Sequence, residues 1–254
     1  MTVRGDASDV RSSATRTPTC RRSTRPHSGA WCTLRFVKAL NLRCVVEAVG
    51  LLILVTGTAS AQLEPSCVEN SPERQGEIGC SLVETKPLPD NLKEPLFWHI
   101  DRFDAGGPAQ AAAGPSSVAL EAHGTWWLLT IESQVENHHG GQHVTQVRLP
   151  SLPPAPKYSM LVMSAYIPSG LTSRVHLNSG VEAFFVVDGE QCLETADGAH
   201  TMRKGDTLVM PAGVTMRLVA TGSAPRRALA VIVFDAAQPP TTRTDTGPAL
   251  VRCM

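Results

Sequence analysis

Between Tyr158 and Phe234 the sequence breaks into short apolar runs: Tyr158–Ile167, Val181–Val187, Gln191–Ala196, Asp206–Met210, Val214–Ala220 and Ala228–Phe234. Turn residues close each run, and none has the length or the 3.6-residue periodicity of an amphipathic helix. Asp188-Gly189 and Asp197-Gly198 are the strongest hairpin signals in the chain. Strands this short, repeated at this spacing, specify an all-β fold, and an antiparallel jelly roll or barrel is the natural architecture.

Upstream the pattern is mixed. Gln62 to Glu94 is polar and broken by prolines, and reads as an irregular arm. Leu96–Asp101 reads as a strand, and Asp104–Ser117 as one short helix with Pro in its first turn. Val118–Glu121 and Thr125–Glu132 read as strands joined by a turn at His123-Gly124. In that second strand Trp126 and Trp127 face opposite ways, one into the core and one over an edge or a dimer contact. His138, His139 and His143 surround a Gly-Gly pair and read as incidental histidines of an exposed loop. Val144–Leu149 is another short strand, and Pro150–Pro156 a stiff connector. The expected organisation is a leader over 1–61, a small mixed α/β extension over 62–157, a barrel over 158–236 and a tail over 237–254. The pair Arg226-Arg227, next to Pro225, reads as a solvated turn.

The 254 residues carry equal numbers of basic and acidic side chains, but unevenly placed. Residues 1–61 hold 9 Lys and Arg against 3 Asp and Glu, and the remainder 14 against 20. A negative body argues against binding nucleic acid, whose affinity rests on neutralising phosphates. Residues 1–34 are rich in Arg, Ser and Thr and read either as disordered or as the product of a misplaced start codon. Arg35, Lys38 and Arg43 then precede the apolar stretch 48–55 and the small-residue site ending at Ala61. Those are the parts of a secretory signal, with cleavage expected after Ala61 and a periplasmic or secreted product. Ala48–Val55 is too short to span a bilayer, so no stable membrane span is expected after cleavage. Cleavage would leave Cys67, Cys80, Cys192 and Cys253 in an oxidising compartment. Cys67 and Cys80, close together in the polar arm, are the expected bridge, one that orders a segment without a core of its own.

Gly170-x5-His176-x-Asn178-x3-Glu182-x6-Gly189 resembles the first motif of the cupin family, with Asn178 in place of its second His. Gly205-x5-Pro211-x-Gly213-x2-Met216 resembles the second motif, with Met216 in place of its His and Ala220 in place of its Asn. The resemblance covers Tyr158 to Asp235 and implies a cupin barrel. In metal-binding cupins the four matching positions supply three imidazoles and a carboxylate. Here His176, Asn178, Glu182 and Met216 offer one imidazole, an amide, a carboxylate and a thioether. That is a poor set for zinc, for a ferrous centre or for a hard cation.

No tightly held divalent metal is therefore expected, nor any other cofactor. Alternation along the strands places His176, Asn178, Glu182, Phe184, Val186, Val214, Met216 and Leu218 on the barrel interior, a mostly apolar pocket with a few polar anchors. The expected function is binding of a small organic molecule there. Two alternatives stand beside it. One is an enzyme, either oxygenase-like and metal-dependent or a metal-independent isomerase or lyase in which His176 and Glu182 pair to move a proton. The other is a scaffold whose site is a relic. The resemblance also implies a possible homodimer paired through its sheets.

Overall fold

The computed structural model describes residues 68–69, 79–133, 140–244 and 246–254. The leader, Cys67 and the His138-His139 pair lie outside them. The elements in chain order are β1 (Val68–Glu69), β2 (Gly79–Pro87), β3 (Phe97–Phe103), α1 (Gly106–Ala112), β4 (Ser117–Ala122), β5 (Thr125–Glu132), β6 (Gln142–Arg148) and β7 (Tyr158–Ile167). They continue with β8 (His176–Asn178), β9 (Val181–Asp188), β10 (Glu190–Thr195), β11 (Ala199–Arg203), β12 (Thr207–Met210), β13 (Met216–Thr221), β14 (Arg226–Asp235) and β15 (Thr241–Arg243).

The fold is mainly β, a cupin-type antiparallel jelly-roll barrel with a small mixed α/β N-terminal extension. One barrel sheet has the order β1-β2-β7-β14-β9-β12 and the other β11-β10-β13-β8-β15. Among the described strands only β1 and β2 pair in parallel. The strands β7, β9 and β14 read as nearly continuous apolar runs because both their faces are covered. Their inward set, including Leu161, Met163, Phe184, Val186, Ala230 and Ile232, packs against the second sheet through Leu193, Met216 and Leu218. Their outward set, including Met160, Val162, Ala183, Phe185, Val231 and Val233, packs against Trp98, Ile100, Trp127 and Leu129 of the extension. Period-2 alternation alone sorts these residues into two cores.

Strands β3 to β6 of the extension thus form a third layer, while its β2 continues the barrel sheet beside β7. The sheet of that third layer has the order β4-β5-β3-β6. The turn between β4 and β5 has His123 at φ 56° and Gly124 at φ 75°, the two positive angles of a type I′ hairpin turn. Trp127 enters the core, donates from Nε1 to the Ala122 carbonyl at 2.9 Å, and meets Phe185 edge-on at 6.0 Å. Trp126 lies over α1 at Gly106, so that ring covers a helix of its own chain.

Four sequence expectations change. The segment read as an irregular arm contains β2, nine residues that pair with β7 in the barrel sheet and have only the two-residue β1 outside them. Its polar side chains concealed it, because a strand so near the sheet edge is held by backbone hydrogen bonds as much as by packing. The stretch after residue 236 is more than a tail, for β15 pairs with β8, and Cys253 is bridged to Cys192 on β10. His143 is not a loop residue. It stands on β6, and its Nδ1 is 3.1 Å from Oδ1 of the buried Asp101. Asp188-Gly189 is not a hairpin turn either, since β9 and β10 belong to different sheets. Asp197-Gly198 does close the β10–β11 hairpin.

Gly189 marks the corner where the chain changes sheet. It adopts φ 77°, and a Cβ there would lie 2.5 Å from the Pro225 carbonyl oxygen. Gly189→Ala therefore combines a left-handed backbone with a backbone collision. We expect it to cost about 2–3 kcal/mol, measured by urea denaturation; an unchanged midpoint would contradict this account of the corner.

Candidate functional site

The barrel interior holds a cavity of about 100 Å³. One water requires roughly 10–15 Å³ by the same kind of measure. The room comes from small side chains, because Ala165 on β7 and Ala228 and Ala230 on β14 lie where larger residues would fill the space. Met163, Phe184, Leu218 and Ile232 complete an apolar wall. Polar groups enter from β8, β9, β14 and β15 as His176, Asn178, Glu182, Arg226 and Thr241.

Five of the eight pocket residues expected from the sequence line this cavity: His176, Asn178, Glu182, Phe184 and Leu218. Val186 and Met216 are buried in the barrel core beyond it, and Val214 packs against that core. The cavity occupies only part of the interior, so an inward direction does not by itself put a side chain on its wall. Val186 and Met216 are completely buried.

Local structure fixes the polar groups. The turn after Pro211 lets the Gly213 amide donate to the Asn178 carbonyl at 2.8 Å, tying the second motif to the first. Ser179 binds the tail twice, its amide to the Pro240 carbonyl at 3.0 Å and its hydroxyl to that of Pro239 at 2.8 Å. Thr241 is thereby brought over Asn178, and its hydroxyl donates to Oδ1 at 2.7 Å. Asn178 in turn donates from Nδ2 to Glu182 Oε2 at 2.6 Å.

The expected pairing of His176 with Glu182 is replaced by another arrangement. Asn178 is the partner of Glu182, while His176 Nδ1 lies 2.9 Å from the Arg174 carbonyl oxygen. A carbonyl only accepts, so Nδ1 carries the proton and Nε2 is left as the ring's acceptor in the neutral form. Burial lowers the affinity of His176 for a second proton, and the Arg174 hydrogen bond opposes that only in part. Burial pushes the Glu182 carboxyl up to about 8, against the pull of Asn178 and of Arg226. At neutral pH Glu182 is mainly a protonated acid.

Arg226 is the residue that sequence reasoning misplaced. It is not in a solvated turn; only 3% of it is exposed. It opens β14 with its side chain on the inward row that continues through Ala228, Ala230 and Ile232. Its Nε donates to Oε1 of the fully buried Gln191. Arg227 faces outward, 3.5 Å from Asp188 and over the Tyr166 ring. An Arg-Arg pair is ambiguous from sequence because one member of any strand pair faces in. The alternation of Arg226, Ala228, Ala230 and Ile232 was the signal that could have separated them. Burial lowers Arg226 to about 10, opposed by Glu182, and it remains a cation at neutral pH.

A divalent ion does not fit this donor set. Met216 is packed in the core away from the cavity, both ends of the Asn178 amide are engaged, and the Arg226 cation shares the space. Among the described residues no three His, Cys, Asp or Glu side chains could hold a metal together.

Cys80 also lines the cavity and is disulfide-bonded, while Cys67, its expected partner, lies outside the described residues. The bridge between Cys192 and Cys253 was not expected from sequence. Among the described residues no helix is long and apolar enough to cross a membrane.

Residues 162–232 match the family described as Cupin domain. Among solved structures the chain is similar to a cupin-like protein from Thermotoga maritima, with 15% identity and a TM-score of 0.30, over 34% of this chain and 64% of that one. It is also similar to the DMSP lyase DddQ from Ruegeria pomeroyi, with 20% identity and a TM-score of 0.30, over 34% of this chain and 43% of that one. A third is the polyketide cyclase RemF from Streptomyces resistomycificus, with 17% identity and a TM-score of 0.29, over 35% of this chain and 62% of that one. The matching part of the chain thus spans less than two thirds of each of these structures. No curated protein matches the sequence. With both motifs on adjoining strands of one jelly-roll barrel, and the family match spanning them, residues 162–232 form a cupin domain.

Proposed function

We propose that this is an exported cupin that binds a small organic molecule in its barrel without a resident metal ion. The observation that carries the reading is the cavity itself, apolar over most of its wall, with His176, Asn178, Glu182 and Arg226 converging on it. Concave apolar sites with a few fixed polar groups are the usual form of a small-molecule site. Export is supported by the leader-like sequence and by the Cys192–Cys253 bridge, which suits an oxidising compartment.

The expected result for the purified full chain is substoichiometric transition metal by mass spectrometry, unchanged in His176→Ala. A thermal-shift screen of small metabolites should find a compound that stabilises the chain but not Ala230→Leu, whose longer side chain fills the cavity. Stoichiometric metal lost in His176→Ala would overturn the metal-free reading, and stabilisation that survives Ala230→Leu would overturn the site.

A second reading, proton-transfer catalysis by an isomerase or lyase, is favoured by one specific observation. A neutral imidazole with a fixed acceptor nitrogen and a protonated carboxylic acid share one cavity, and paired groups with displaced proton affinities are how acid and base roles are divided. On that reading His176→Ala abolishes turnover of the compound found in the screen and leaves its binding within a few-fold.

A further inference from the structure

The barrel buries a cation without giving it a contact partner of opposite charge. Arg226 is 3% exposed, its only assigned hydrogen bond is from Nε to the uncharged Gln191, and no ion pair joins it among the described residues. Glu182, on the same cavity, does not neutralise it by contact. In the sheet register Glu182 lies opposite Ile232 and Arg226 opposite Ile167, six residues apart along β14. Two Cα positions so placed are separated by about 20 Å along an extended strand, and the two side chains reach toward each other along the interior. Between them lies the apolar stretch walled by Ala228 and Ala230.

A buried charge is costly unless it is paired and hydrogen-bonded. Proteins leave such a group uncompensated where a ligand supplies the counter-charge. The charged and titratable groups facing this cavity are Arg226, Glu182 and His176. With Glu182 mainly protonated and His176 neutral near pH 7, the cavity carries one net positive charge. A single negative charge completes it, and a second would be left over. A guanidinium presents its donors as a planar fork that matches two carboxylate oxygens. The apolar wall and the small volume ask for a short hydrocarbon body behind that head.

Building on the small-molecule reading above, we propose that the ligand is a short monocarboxylate, its carboxylate held by Arg226 and its apolar body lying against Ala228, Ala230 and Phe184. The role of Arg226 is to bind the anionic head. The polar group of Asn178 and Glu182 at the far end would read a hydroxyl or similar function on the ligand.

The test is calorimetric titration of the full chain with butyrate, butyramide, butylammonium and inorganic phosphate, each in the unmodified chain, Arg226→Gln, Arg226→Lys and Ala230→Leu. Butyrate is expected to bind in preference to the other three. Arg226→Gln should weaken it at least tenfold, Arg226→Lys should weaken it less, and Ala230→Leu should abolish it, while thermal unfolding stays cooperative in all three variants. If butyramide binds as well as butyrate and Ala230→Leu removes both, the carboxylate assignment falls and the small-molecule reading stands. Tighter binding of phosphate overturns the assignment in the same way. If butyrate binds equally to Arg226→Gln, the arginine is only a partner for Gln191 and the inference is wrong. If none of the probes binds and the metabolite screen is empty as well, both readings fall together.

Discussion

Cys253→Ser is expected to destabilise the folded chain by about 4 kcal/mol, read as a fall in Tm of roughly 8–16 °C. The bridge joins residues 61 apart, and closing so long a loop removes much of the freedom of the unfolded chain. In the folded state the same end is held by several contacts around one buried carboxylate. Glu194 accepts from the Cys253 amide at 2.9 Å, from Arg217 Nε at 2.7 Å and from Arg252 at 3.3 Å. The Val251 amide donates to the Thr195 carbonyl at 2.8 Å. The consequence reaches the cavity, because the segment between the barrel and the bridge carries Thr241, which holds the amide of Asn178. Amide hydrogen exchange should therefore rise in β15 and β8 of the variant. An unchanged Tm with unchanged protection would mean that the tail is held by its strand pairing alone.

Glu182→Gln is expected to stabilise the chain at alkaline pH and to have little effect in acid. In the folded chain burial keeps the proton on Glu182 up to about pH 8, whereas an unfolded glutamate loses it near 4.5. Below 4.5 both states hold the proton and the group contributes no difference. Between 4.5 and 8 the unfolded state binds fewer protons, so stability falls as pH rises, and above 8 the loss is complete. Gln has the shape of the protonated acid and can still accept from Asn178 Nδ2. Its advantage should reach a few kcal/mol, a gain of about 5–10 °C in Tm at pH 8. His176 acts in the opposite sense at lower pH, since burial disfavours its imidazolium and stability is lost as pH falls from the unfolded value near 6.5 through its lower folded value. The difference between the two Tm curves cancels that contribution and isolates Glu182. Parallel curves from pH 5 to 8.5 would show that Glu182 is ionised in the fold.

The strands of the barrel were legible because their signals are local. The runs at Tyr158, Val181 and Ala228 and the turn at His123-Gly124 each identify a strand or hairpin from a few adjacent residues, and the structure places β7, β9, β14 and the β4–β5 turn there. What escaped were strands made by their neighbours. His176–Asn178 is three residues long and is a strand only because β13 and β15 flank it. Thr241–Arg243 and Gly79–Pro87 carry no strong apolar signal and gain their conformation from the sheets they join.

The same division runs through the site. Alternation, which depends only on the geometry of one strand, determined from sequence that His176, Asn178, Glu182 and Phe184 turn inward together. Which inward residues face empty space depends on side chains brought together from many strands of both sheets, so only the tertiary structure separated Leu218 on the cavity wall from Met216 in the packed core. The partners of Glu182 and the burial of Arg226 were likewise decided by the register between distant strands. A hydrogen bond or an uncompensated charge belongs to the pair of groups that meet, and the sequence holds each group without its neighbour.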